Sequence, residues 1–74
     1  MAHGFAVRLI VNKEIEVRTV SPTRRGAMVN GIVTILGRTV FSHWSDREIE
    51  DVWLAQGAPR LYDIVPVLIV AVDD

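Results

Sequence analysis

The sequence predicts a small α/β domain of the α+β kind, with elements in the order ββααβ. Three strands form a mainly antiparallel sheet and two helices pack on one of its faces. Three observations carry this: two alternating runs over residues 5–20, two helix starts at Ser21-Pro22-Thr23 and at Ser45, and an aliphatic, β-branched run over residues 61–72. At 74 residues there is room for one core and one domain, residues 1–74.

Phe5, Val7, Leu9 and Val11 alternate with Ala6, Arg8 and Ile10, the period of a half-buried strand. After Asn12-Lys13 a second alternation sets Ile15, Val17 and Thr19 against Glu14, Glu16 and Arg18, so a hairpin is expected from about residue 5 to 20. Ser or Thr as N-cap with Pro22 in the first turn then opens a helix. It should run to Leu36 with Gly37 as a left-handed C-cap. On the helical wheel Met28, Val29, Ile32, Val33, Ile35 and Leu36 gather as the expected core face. Gly26, Ala27, Asn30, Gly31 and Thr34 form the opposite side, where small residues let something approach closely.

Arg38 to Trp44 reads as a connector. Ser45 and Glu48 then match the capping box, in which the serine hydroxyl bonds the third helical amide and the glutamate reaches back to the cap. Ile49, Val52 and Trp53 follow at helical spacing, and Gly57 with Pro59 closes the second helix. Leu61 to Val72 is nearly continuously aliphatic, the pattern of a strand buried on both faces and placed beside the first strand. Pro66 assigns it to an edge or a bulge. Ile10, Val20 and one side of this strand would then lie on an uncovered sheet face, which a homodimer or a docked target would cover.

The formal charge is −1, but it is unevenly distributed. Residues 1–44 hold Arg8, Lys13, Arg18, Arg24, Arg25 and Arg38 against Glu14 and Glu16. Residues 45–74 hold Arg47 and Arg60 against Asp46, Glu48, Glu50, Asp51, Asp63, Asp73 and Asp74. Such asymmetry marks candidate contact surfaces. Arg18, Arg24, Arg25 and Arg38 make a basic patch suited to an acidic partner, and Glu48, Glu50 and Asp51 an acidic one. A slightly acidic chain argues against direct nucleic-acid binding as the main activity.

No cysteine is present, and His3 and His43 alone cannot build a metal site, so neither a metal nor a cofactor is expected. Ser42-His43-Trp44-Ser45-Asp46 contains the residue types of a hydrolase triad, but adjacent residues seldom align nucleophile, base and orienter. Gly31 to Arg38 imitates a phosphate loop with the wrong spacing and inside a helix. No catalytic residue is assigned, and the expectation is a non-enzymatic protein. The opening residues lack a signal-peptide pattern, and Ile64–Val72 is about half the length of a helical membrane span, so a cytoplasmic chain without membrane contact is expected.

The block from Arg18 to Asn30, followed by His43-Trp44-Ser45-Asp46 and by Ile49-Glu50 with Trp53, resembles small uncharacterised proteins encoded by phages and prophages, over about half the chain. That resemblance implies a phage accessory protein of the anti-CRISPR or anti-defence kind, an inhibitor that binds and occludes a protein or nucleoprotein complex of the bacterial host. The alternative is a small DNA-binding transcriptional regulator reading through the Arg24/Arg25 helix start. Against it stand the long connector between the helices and the acidic start of the second one.

Overall fold

The computed structural model describes residues 2–70. Strands β1 (Ala2–Leu9), β2 (Glu14–Ser21) and β3 (Tyr62–Ile69) form one antiparallel sheet in the order β2-β1-β3. Helices α1 (Arg24–Thr34) and α2 (Asp46–Ala55) lie between β2 and β3 in the chain, and a single 3-10 turn at Ala58–Arg60 follows α2. The ββααβ order and the placement of the last strand beside the first are as the sequence predicts.

The hairpin begins earlier and turns earlier than expected. β1 stops at Leu9, so Ile10 and Val11 belong to the turn, and Lys13 takes a left-handed conformation with φ 59°. The Asn12 side chain anchors this turn by accepting the Glu14 amide at 2.9 Å. Beyond it β2 carries a wide bulge. Val7 pairs with Glu16 but Phe5 pairs with Ser21, so the second strand makes a detour that the first does not match. Thr19 fills the gap. Its hydroxyl accepts the Val7 amide at 2.8 Å and donates to the Glu16 carbonyl at 2.6 Å, while the residue is wholly buried.

The register also settles which way the strands face. Val7 belongs to the core with Met28, Ile32, Ile49, Trp53 and Ala58, so its cross-strand partners Glu16 and Ile64 share the helix-covered face. Arg8, Ile15 and Asp63 form the next row, on the open face. The aliphatic side of β2 therefore points away from the helices, and its glutamates point toward them.

Helix α1 starts two residues later than a proline at its first position would require. Thr23 is the N-cap, its hydroxyl accepting the Gly26 amide at 2.9 Å, and Pro22 precedes the cap. The helix ends at Thr34 and not at Leu36. Gly37, left-handed at φ 65°, instead lets the Arg38 amide turn back to the Ile32 carbonyl at 3.1 Å. The buried residues are Ala27, Met28, Gly31 and Ile32, whereas Val33 is exposed. Part of the small-residue side thus faces the core, because the packing is too close for longer side chains there. A methyl group on Gly31 would sit 3.0 Å from both the Trp53 ring and a Val7 methyl.

Helix α2 has the expected capping box, with Ser45 and Glu48 satisfying each other's backbone amides. Arg25 meets Asp46 near one end of the helix pair and Gly31 meets Trp53 further along, so α1 and α2 run in the same direction and residues 35–45 return along α1 between them.

β3 is an edge strand, which Pro66 tolerates. The Ile10 amide bonds the Leu61 carbonyl, and the alternation of antiparallel pairs then makes Phe5 and Pro66 a non-hydrogen-bonded pair, with the proline nitrogen on the free edge. The strand is half-buried and not buried on both faces, because no element covers the far side of the sheet among the described residues. Val70 lies past its end, and the expected continuation over Ala71 and Val72 falls outside the described residues.

Candidate protein-binding surface

The capping residues of the two helices put their N-termini side by side, and Arg25 ties them together. Its guanidinium donates to the Asp46 carboxylate and, at 2.8 Å, to the Trp44 carbonyl. Beside this clasp lies a cleft of about 200 Å³ lined by Arg24, Arg25, Met28, Asp46, Ile49 and Glu50. The arginines of α1 and the carboxylates of α2 are thus neighbours within one polar rim around an apolar floor.

Arg25 also borders a broader groove of about 470 Å³ between α1 and the returning connector, where Val29 faces Val40 and Phe41. Phe41 is 53% exposed, which is large for a phenylalanine. It stacks on His43 at 5.8 Å between ring centroids and meets the edge of Trp44 at 5.6 Å. On the other side of Trp44 a shallow cleft of about 250 Å³ is completed by Glu48, Asp51 and Val52. An exposed aromatic group ringed by arginine, tryptophan and carboxylates has the composition of a protein-binding centre.

The residues singled out in the sequence divide among different places. Arg24 and Arg25 stand together, but Arg38 follows the far end of α1, about 12 Å along the axis from Arg24 at the level of Ile32. Arg18 lies with Thr34 and Ile35 near that same far end, in a cleft of about 390 Å³, where it donates to Glu16 at 3.0 Å. Hydrogen bonds from Arg18 hold the Glu16 carboxyl below the usual carboxylate range. The four arginines do not form one patch, because α1 separates two of them from the other two.

The acidic set divides as well. Glu50 joins Arg24 and Arg25, whereas Glu48 and Asp51 flank Trp44. Glu48 is occupied by its cap: bonds from Ser45, the backbone amide foremost, keep its carboxyl below the usual range. The triad-like stretch is likewise otherwise engaged. The Ser45 hydroxyl accepts the Glu48 amide, Asp46 accepts from Arg25, and His43 stacks on Phe41. Gly31, the start of the phosphate-loop imitation, is buried against Trp53.

Sequence reasoning passed over Phe41 and the role of Asp46. The signal available for Phe41 was its spacing from His43 and Trp44 in a connector with no strand or helix period to bury it. No helix among the described residues is long and apolar enough to cross a membrane. No protein-family model matches the chain, and no curated protein and no solved structure matches it.

Proposed function

We propose that the chain is a non-catalytic binding module whose helix side docks on a protein or nucleoprotein complex through Phe41, Trp44 and the Arg24/Arg25 rim. The observation that supports this is the exposure of Phe41 beside the Arg25–Asp46 clasp, since a stacked aromatic left in water gains most by being covered. The narrower form of the reading is a phage-encoded inhibitor acting in the bacterial cytoplasm by occluding a host defence complex, as the resemblance over residues 18–53 implies. The DNA-reading alternative has less support. The clasp already engages Arg25, and Glu50 and Asp46 line the same cleft, where a phosphate would meet repulsion.

The test is recovery of bound proteins from nuclease-treated bacterial lysate by the wild-type chain and by Phe41→Ala and Arg24→Glu variants. A defined complex captured by the wild type and lost with Phe41→Ala supports the reading. Capture undiminished in both variants overturns the site. Retention of duplex DNA that falls steeply with salt would replace the reading by the regulator.

A further inference from the structure

The uncovered sheet face is a separate surface from the helix side, and its side chains are unusual for one left in water. Its rows are Ala2–Ile69, Gly4–Val67, Ala6–Val65 and Ile15–Arg8–Asp63, with Val17 one residue past the helix-facing Glu16. Small residues on the central strand let the flanking aliphatic chains lean inward. The Ile69 side chain lies so near Gly4 that a methyl group there would meet it at 2.6 Å. What remains is a low apolar surface, with Val17 76%, Ile10 44% and Ile15 39% exposed.

Among the described residues, the charges on this face are a single pair. Arg8 donates to both carboxylate oxygens of Asp63, at 3.1 and 2.6 Å. The pair is neutral as a whole but has a positive and a negative end side by side. A two-fold axis lying between two stacked sheets, parallel to the strands and over the midpoint of this pair, sets each guanidinium over the carboxylate of the other copy. A partner of net charge would gain nothing here, whereas the same face turned on itself gains both apolar contact and charge complementarity.

We propose that this face is the interface of a homodimer in which two copies pack sheet on sheet. Eight-residue strands at about 3.3 Å per residue and three strands about 4.8 Å apart give a footprint of roughly 26 by 14 Å. Two such faces cover roughly 700 Å², short of the about 1,000 Å² that a stable specific association buries. The dimer is therefore weak and forms only at high protein concentration. Pairing along the β3 edge is disfavoured, because Pro66 presents no amide there. The inference does not rest on the proposed function, since the helix side stays free in such a dimer.

Sedimentation velocity from about 1 µM to about 1 mM is the test. Reversible conversion from monomer to dimer is expected, weakened about tenfold or more by Val17→Lys and by Ile15→Lys. Both side chains are exposed, so circular dichroism should show an unchanged fold. Arg8→Asp should also weaken the dimer, and the double exchange Arg8→Asp/Asp63→Arg should restore it. A monomer throughout the range overturns the proposal. So does a dimer that survives both lysine variants, or one lost with Phe41→Ala, which would place the contact on the helix side.

Discussion

The Thr19 hydroxyl takes the place of a strand carbonyl for Val7, accepting its amide at 2.8 Å where neither residue touches water. A backbone donor inside the core thus depends on one side chain. Thr19→Val keeps the shape but removes the acceptor, leaving a buried N–H unpaired at a cost of about 1–3 kcal/mol. Thr19→Ser keeps the bond and loses only a methyl group. Urea denaturation should show the valine variant distinctly less stable than the serine one.

Gly31 is the point where α1, α2 and β1 come closest. Alanine is the better helix former by about 1 kcal/mol, so an exposed glycine at this position would gain from Gly31→Ala. Here the added methyl would press on Trp53 and Val7 together, and neither has open space into which to retreat. Overpacking of about 1–3 kcal/mol should outweigh the propensity gain. The variant is expected to unfold at lower urea, and Gly31→Leu at lower urea still.

The cap of α2 gives a cleaner contrast. Ser45→Ala removes the acceptor for the Glu48 amide and should cost about 1 kcal/mol. Glu48→Gln retains an oxygen for the Ser45 amide, so it should cost much less at neutral pH. Thermal unfolding of the two variants in the same buffer tests this order.

Acid should destabilise the fold through identifiable carboxylates. Asp63 is held below the usual range by hydrogen bonds from Arg8, as Glu16 is by Arg18 and Glu48 by Ser45. A carboxyl depressed in the folded state contributes stability that is complete above its unfolded pKa and is lost as pH falls through the folded value. Stability should therefore be level near neutrality and fall below about pH 4. Asp63→Asn should flatten part of that fall, measured as the difference in urea midpoint between about pH 7 and about pH 3.

The features legible in the sequence were those that neighbouring residues decide. The capping box at Ser45 and Glu48, the left-handed Gly37 and Gly57, and the edge position signalled by Pro66 all depend on local stereochemistry. The α1 face was not legible in the same way. A hydrophobic wheel ranks Val33 as core and Gly31 as surface, yet the closeness of Trp53 and Val7 reverses the two, and that closeness is a tertiary fact. The bulge around Thr19 was hidden because its sequence still alternates. The arginines and acids could be named but not grouped, since grouping needed the direction of α2 relative to α1, which no period in the chain records.

The strand order has a consequence for timing. β1 finds one neighbour across a short turn, but the other is made only after both helices, in pairs running from Leu9–Tyr62 to Ala2–Ile69. Until that last segment arrives, the central strand is itself an edge, with an open row of donors and acceptors and no proline to guard it. The hairpin and α1 can assemble early from local contacts, whereas closure of the sheet waits on the longest loop in the chain. A nascent or partly melted chain is therefore most adhesive at β1, the strand that is best hidden once folding is complete.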